Sequence, residues 1–450
     1  MPWLLLLSTL LFSLNSCSPK ITPQQLPVEP PAQFSYSGTE ALPEKWWTSF
    51  NDSTLNRLID TALSENLDLL ATWEQFQAAR ALVRVESSNL WPQADVFLGS
   101  EIVRSESGPA EEDAELYAGL TASYEFDLWG RIRAGVQAEE FRAQASFLDY
   151  QTTALVLSAE ISTLWYRLVS ARRQLQLAEQ QIKTNEDILR LIRARFTGGQ
   201  IRAVDILRQE QLVESTRNEK IFYETEAMLL QHQLATLLGL PPQNISGLQG
   251  EQLPPLPPLP ETGLPLELIR RRPDIQRAYN LLLATDRELA EAVRNRYPRL
   301  SVDLNAQLGS GSYNNLFQTW AYSLAGNLVT PLLYGGRLKA EVDLAEANKN
   351  QQLYRYGQEV LIAFREVEDA LIREKKQEER LEVLQSQLEL ARKTNSQLQQ
   401  EFLNGLSEYV DVLLSLDQEQ QLQRDLIEAR QVQLENRIAL YRALAGGFSQ

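Results

Sequence analysis

The chain has 450 residues, a net charge of −16 and 44% hydrophobic residues. That acidity excludes nucleic-acid binding, because neutralising phosphates takes clustered Lys and Arg. One cysteine leaves no intramolecular disulfide framework, and one histidine, His232, leaves neither a Cys/His metal cluster nor a basis for His-driven catalysis.

The first element is a short apolar run, Trp3 to Leu14, too short to span a bilayer as a helix and read here as the core of a signal peptide covering residues 1–16. It ends in Leu14-Asn15-Ser16-Cys17, which resembles the bacterial lipobox, so Cys17 is the expected mature and lipidated N-terminus. The n-region has no Lys or Arg, and Asn15 is an uncommon neighbour for that motif. Ser18 rather than Asp follows the cysteine, which favours sorting to the outer membrane. Several acyl groups would hold such an N-terminus to a leaflet without spanning it. Residues 17–45, rich in Pro and Gln, read as an extended tether.

Helical periodicity starts at Ser53, the expected N-cap, and runs to about Asn89, before Trp91-Pro92. Strands follow. From Leu300 to Gly309 apolar and polar residues alternate strictly: Leu300, Val302, Leu304, Ala306 and Leu308 share one face, and Ser301, Asp303, Asn305 and Gln307 the other. This is the pattern of a transmembrane barrel strand with the second set facing a wet lumen; a half-buried hairpin on a soluble sheet alternates in the same way. Ala94 to Val103 is its noisier counterpart, and Leu116 to Phe126 and Trp320 to Leu328 read as return strands across polar loops. Aromatic residues gather at the strand ends: Trp91, Tyr124, Trp129, Tyr297, Trp320, Tyr322 and Tyr334.

Two long proline-free helices come next, Arg131 to Phe196 and Arg337 to Phe402, each about 95 Å long at 1.5 Å per residue. Val360, Phe364, Val367 and Leu371, then Leu381, Leu384, Leu388 and Ala391, follow heptad spacing. Turns containing glycine reverse the chain, and second helices return from about Val204 to Leu238 and from Val410 to Ala445. A proline-rich connector, 239–263, lies between the halves.

The halves repeat. FTGGQIRAVDIL at 196–207 is rewritten as FLNGLSEYVDVL at 402–413. The same displacement of 206 residues carries Gly130-Arg131 onto Gly336-Arg337, Trp91-Pro92 onto Tyr297-Pro298, and Asp68 onto Asp274. A fixed long period marks a duplicated unit, here residues 46–238 and 264–450. No P-loop, dinucleotide fingerprint, HExxH or nucleophile elbow occurs, so no enzyme, cofactor or metal is expected. Four strands per chain cannot close a barrel, and an open sheet edge in lipid leaves unpaired backbone groups, so an oligomer is required.

WWTSFNDSTLNRLIDTALSENLDL (46–69), LIRRRPDIQRAYNLLLATDRELAEAVRNRYPRLSVDL (268–304) and the two Phe-containing turns resemble the outer membrane efflux protein, or TolC-like, family and its lipidated branch. The resemblance runs from about residue 44 to the end. It implies an α+β membrane protein: a homotrimer with a twelve-stranded transmembrane β-barrel continued by a long periplasmic α-helical barrel with a mixed equatorial belt. It implies a passive outer-membrane exit channel for small molecules, with a periplasmic adaptor and an inner-membrane resistance-nodulation-division pump as partners. A channel of type I protein secretion and a non-pore coiled-coil scaffold lipoprotein are the other readings. In that family the helix turns are the periplasmic tips, so Phe196, Gly198, Gly199, Asp205, Phe402, Asn404 and Gly405 are the expected adaptor-docking residues. The channel closes there, and Val410, Leu414 and Asp411 are the candidate gate. Asp205 and Asp411 each begin a returning helix, where a carboxylate meets free N–H groups and the helix dipole. Many relatives carry an acidic residue where this chain has Leu414, so an apolar constriction is the expected closure.

Overall fold

The computed structural model describes residues 26–104, 112–244, 250, 252–310 and 319–444. The signal-peptide core, the lipobox and Cys17 lie outside the described residues. In chain order the elements are α1 (Ser53–Glu65), α2 (Leu67–Ser88), β1 (Gln93–Arg104), β2 (Glu112–Phe126), α3 (Arg131–Thr197) and α4 (Ala203–Leu237). The second half supplies α5 (Pro265–Arg271), α6 (Pro273–Arg294), β3 (Arg299–Ser310), β4 (Trp320–Val329), α7 (Arg337–Leu403) and α8 (Tyr409–Ala443). The bounds of α2, β1, α3 and α4 move onto those of α6, β3, α7 and α8 by one displacement: 131 becomes 337, 197 becomes 403, 237 becomes 443. The duplication is therefore structural as well as textual.

Two sequence expectations need correction at the first helix. The N-cap is Asp52, not Ser53: its Oδ1 accepts from the amides of Thr54 and Leu55 at 2.9 and 3.0 Å, while its Oδ2 accepts from Trp165 Nε1 at 2.7 Å. Nor is the helix continuous. Asn66 adopts an extended conformation, its Oδ1 caps α2 at the Leu69 amide and its Nδ2 donates to the Leu237 carbonyl. An asparagine that satisfies two helix ends makes a break cheaper than a straight run.

The residues form two compact units. One comprises, among the described residues, 26–29, Glu74–Leu148 and Gln276–Glu359 and contains the sheet. The sheet is antiparallel in the order β1-β2-β3-β4, so β1 and β4 are its edges. Alternation decides its faces. Rows such as Ala94, Ala122, Leu304 and Leu324 run across one face; Asp95, Thr121, Asn305 and Ser323 run across the other. β4 is exposed along its whole length, on both faces.

The other unit comprises, among the described residues, Pro30–Trp73, Asp149–Ile275 and Val360–Leu444. Its core explains the tandem tryptophan: Trp46 and Trp47 are buried in a 3-10 turn, Trp46 stacks on Tyr441 at 5.5 Å, and Phe50, Trp165 and Tyr166 close the cluster. The Arg-Arg-Pro-Asp run is a clamp. Buried Arg272 holds Asp274 through Nε and Nη2 at 3.0 and 2.6 Å, pairs with Glu366 at 2.8 Å and donates to the Ala443 carbonyl. Burial alone would raise the Asp274 pKa, but the two-pronged guanidinium outweighs it and leaves the carboxyl below its ordinary value.

The tether is pinned rather than free from Phe34 onward. Phe34 packs edge-on against Phe364, the Ser35 amide donates to Glu368, and Lys375 donates to the Tyr36 hydroxyl. Glu40 then bridges Pro260 of the connector. The connector in turn is held by Arg437, which is 2% exposed, pairs with Glu374 and donates to the carbonyls of Pro257 and Pro258. Proline carbonyls have no neighbouring amide ladder to join, so a buried cation with several donors is an economical anchor.

Removing the cation should leave a buried carboxylate and two orphaned carbonyls. Arg437→Met is expected to destabilise by about 3–5 kcal/mol, whereas Arg437→Met with Glu374→Leu should recover a large part of that. Denaturant midpoints of the purified protein measure both; equal losses in the single and double variants would contradict the clamp.

Candidate functional site: two helix tips and a two-faced sheet

The twice-written turn folds the same way twice. In the first copy Gln200 N–H donates to the Arg195 carbonyl at 3.1 Å and Gly199 N–H to the Phe196 carbonyl at 2.9 Å. In the second, Leu406 donates to Glu401 at 2.8 Å and Gly405 to Phe402 at 3.1 Å. Both are the paired bonds of a Schellman helix end, whose left-handed residue is Gly199 (φ +71°) or Gly405 (φ +74°). Gly198 is not needed in that way: a side chain there would meet only ordinary contacts, and Asn404 fills the equivalent place.

The two aspartates are not alike. Asp205 is buried at 3% exposure; its Oδ2 accepts from the amide and Nε of Arg202, and Arg208 lies 3.6 Å away. Burial removes the expected docking role of its carboxylate and makes it the brace of the α4 start. Asp411 is exposed and has no side-chain partner among the described residues. The displacement of 206 explains the difference: Arg202 becomes Glu408 and Arg208 becomes Leu414, so both cations that would hold Asp411 are missing. The expected capping by both carboxylates therefore holds for Asp205 alone. Glu408 instead pairs with Arg202 at 3.3 Å and ties the two turns together.

The phenylalanines also diverge. Phe402 lies under Arg195, 4.9 Å from the ring centre, and against Tyr409 at 5.4 Å, while Phe196 is 43% exposed. Tyr409 is buried and donates to Gln209; burial, then the Asp205 charge, push its phenol well above the ordinary value. Between the turns lies a cavity of about 720 Å³ lined by Arg195, Arg202, Phe402, Asn404, Gly405 and Glu408 among others. On α8, Val410 is half-buried, and Asp411 and Leu414 are exposed within one arc of the helix. Exposed Leu207, Leu403 and Leu406 complete an apolar surface at the tips; Leu403 and Leu406 replace Thr197 and Gln200, so the shared letters of the two turns do not reveal them.

Above the tips, the stretch of α8 from Gln420 to Ala429 meets α7 and α3 through different chemistry, whereas apolar contacts to α3 return at Ile192 and at Leu434. Against α7 it packs through Leu381, Leu384, Leu388, Ala391, Leu422 and Ala429. Against α3 it uses a buried amide ladder. Gln420 Nε2 donates to Asn185 Oδ1 at 2.8 Å, Gln181 Nε2 to the Gln420 carbonyl at 3.2 Å, Arg424 Nη1 to Gln181 Oε1 at 2.8 Å and Gln174 Nε2 to the Arg424 carbonyl at 2.9 Å.

In the sheet, Ser301, Asp303, Asn305 and Gln307 share their face with Gln93, Asp95, Thr121, Ser123, Ser323 and Asn327. Asn327 Nδ2 donates to Asp303 Oδ2 at 2.6 Å, confirming that the two point the same way. Phe97 and Tyr117 lie on this face over Gly119 and Gly99, where a Cβ would meet their rings at 2.4 Å. The opposite face carries Val96, Leu98, Leu120, Leu304, Leu308 and Leu324. It ends in Tyr124 and Phe126 on one side and in stacked Trp320 and Tyr322 on the other. Among the described residues no helix is long and apolar enough to cross a membrane, and no acidic, His or Cys group could hold a metal.

A family model described as "Outer membrane efflux protein" matches residues 58–240 and 264–446, one match per repeat. The chain belongs to the outer membrane efflux protein family. Among its relatives, the pyoverdine export outer membrane protein OpmQ of Pseudomonas putida is 29% identical over 100% of this chain and 98% of its own. The toluene efflux pump outer membrane protein TtgF of the same species is 30% identical over 90% of this chain and 85% of its own. In fold, a solved structure of CusC superposes with a TM-score of 0.88 at 24% identity, covering 96% of this chain and 99% of that one. The outer-membrane channel OprN superposes at 0.86 and 25%, covering 95% and 98%. The four-stranded antiparallel sheet and duplicated long helices are thus the family fold, and the family is one of outer-membrane efflux channels rather than catalysts.

Gly405→Ala places a Cβ on a left-handed residue with open space around it, so the expected cost is conformational, about 1–2 kcal/mol. Gly198→Ala should be neutral or stabilising by up to about 1 kcal/mol. Thermal or denaturant midpoints compare them, and equal losses would refute the assignment of the left-handed position.

Proposed function

We propose that three copies of this chain close a twelve-stranded barrel in the outer membrane and continue into the periplasm as a helical duct. The duct is the passive exit channel of a tripartite efflux system. The single observation that supports this most is the sheet: one apolar face bounded by aromatic residues at both ends, one polar face, and two unpaired edges. From the row of Leu98 to the row of Phe126 the apolar face advances eight residues, about 27 Å at 3.4 Å per residue, which suits the roughly 25 Å apolar band of a membrane barrel. The non-pore scaffold reading leaves that face without a use. The polar face, with Ser301, Asp303, Asn305 and Gln307, then lines water.

Cys17 carries the lipid anchor in this reading, and N-terminal peptide mass spectrometry tests it. The helix tips dock a periplasmic adaptor through exposed Phe196, Leu403, Leu406 and the Gly405 turn, with a resistance-nodulation-division pump behind it. Relatives named for pyoverdine export, toluene efflux and cation efflux match this chain at 28–30% identity. Such a range of cargo fits a conduit whose selectivity lies in the pump. Closure comes from rings of Val410 and Leu414, which exclude water by being apolar. Exposed Asp411 is the competing ring.

Two measurements decide. Leu304→Arg should cost about 2–4 kcal/mol per chain, while Asn305→Arg is tolerated; equal loss of trimer in outer-membrane fractions would mean the faces are reversed. In planar bilayers, Leu414→Ser with Val410→Ser should raise the resting conductance, and Asp411→Asn should not. The reverse result would assign closure to the aspartate.

A further inference from the structure

The polar face of the sheet carries two side chains that break its hydrophilic pattern. Phe97 and Tyr117 stand among Asp95, Thr121, Ser123 and Gln307, and both are half-buried rather than covered. The displacement of 206 carries them onto Asp303 and Ser323, so the aromatic pair belongs to the first repeat alone.

Glycines set the pose of the rings. Gly119 lies opposite Phe97, and Gly99 opposite Tyr117. A Cβ on Gly99 would stand 2.4 Å from Tyr117 Cζ, and one on Gly119 would stand 2.4 Å from Phe97 Cζ. Each ring therefore lies across the bare backbone of the neighbouring strand, an approach that only glycine admits. The rings meet with 6.1 Å between centroids and 53° between planes. One side of the pair rests on the strands, and the other is turned to the space above the face. In the second repeat Asn305 and Ala325 replace the two glycines, so the notch is lost together with the rings.

The charges around the notch have one sign. Asp95 is two residues from Phe97 on the same face, and Glu101 two residues from Gly99, each step about 7 Å along the strand. Both carboxylates are exposed and have no side-chain partner among the described residues. Residues 93–101, 116–126, 300–310 and 320–329 contain no Lys or Arg. An aromatic notch between unpaired carboxylates attracts positive charge twice, through the ring quadrupoles and through the field of the wall. A neutral solute gains only the ring contact, and an anion is repelled.

We infer that Phe97 and Tyr117, flanked by Asp95 and Glu101, form a binding site for organic cations on the lumen wall of the barrel. The inference rests on the channel reading, which turns this face to water, and adds a class of cargo and the residues that meet it. Three copies place three such sites around the lumen, separated by the hydrophilic wall of the second repeat, where Asn327 engages Asp303. Contacts of this kind are weak and exchange quickly, as a conduit needs: a solute held tightly would not leave.

The test uses trimers of the full chain in nanodiscs of phosphatidylcholine, a zwitterionic lipid, with empty nanodiscs as the blank. Native mass spectrometry first establishes the trimer; its absence would overturn the channel reading itself. The probe is para-fluorobenzyltrimethylammonium, titrated by fluorine NMR line broadening beside neutral para-fluorobenzyl alcohol and anionic para-fluorobenzenesulfonate. The cation should broaden and the other two should not. Phe97→Leu keeps apolar bulk without a ring and should weaken cation binding about threefold, as should Asp95→Asn, while Tyr117→Phe should retain it. Asp303→Asn, on the same face but away from the rings, should change nothing. If Phe97→Leu fails to assemble, the three probes on the unaltered trimer still decide. Equal broadening by the cation and the alcohol, or equal weakening by Asp303→Asn and Asp95→Asn, would overturn the site and leave the channel standing.

Discussion

A backbone N–H or C=O in hydrocarbon has no water to fall back on, and leaving one unpaired costs several kcal/mol. The organisation of this chain follows from that constraint. Four strands offer three ladders and two bare edges, so the chain is incomplete as a membrane structure by itself. Duplication supplies the second hairpin but not closure: the ladder between β2 and β3 joins the repeats, while β1 and β4 stay unpaired within the chain.

The helical hairpins obey a different balance. On its α7 side α8 has lost the choice of sliding, because Leu384, Leu388 and Ala391 interlock at heptad spacing. On its α3 side the middle of the same helix is held by buried amides and one guanidinium, whose bonds must be re-made wherever they are broken, because a buried polar group left unpaired is costly. Asn185 and Thr216, which meet in that ladder at 2.9 Å, are Ala391 and Leu422 in the other repeat. The Leu and Ala seam joins α7 and α8 as a hairpin, and the amide ladder ties that hairpin to α3. The Arg202–Glu408 pair across the turns is exposed at both ends and adds little stability.

Much of this was legible in the sequence because it depends on period. Alternation in 300–309 gave the faces, heptads gave the buried rows Val360 to Leu371, and the displacement of 206 gave the duplication. What was not legible depends on single side chains. Ser53 satisfied the cap preference as well as Asp52 did, and only the Trp165 indole, 113 residues away, distinguishes them. Asn66 gave no periodic signal for the break it makes. The tether read as free because Pro and Gln carry no pattern, yet Phe34 and Tyr36 find specific partners on α7.

The tips show why a repeat misleads when read as identity. Asp205 and Asp411 are the same letter at the same place, and one is a buried brace while the other is exposed. Two substitutions decide it, neither at the aspartate: Arg202 to Glu408 reverses a charge, and Arg208 to Leu414 removes one. With both cations gone, a buried carboxylate on α8 would have no compensation and would be driven to the surface. The same two changes place Glu408 where it can reach across to Arg202, and Leu414 on the exposed arc beside Val410. These two divergences between copies thus free one aspartate, link the two turns and supply an apolar side chain to the candidate constriction. The shared letters keep the turn folding; the differing ones assign its two copies different work.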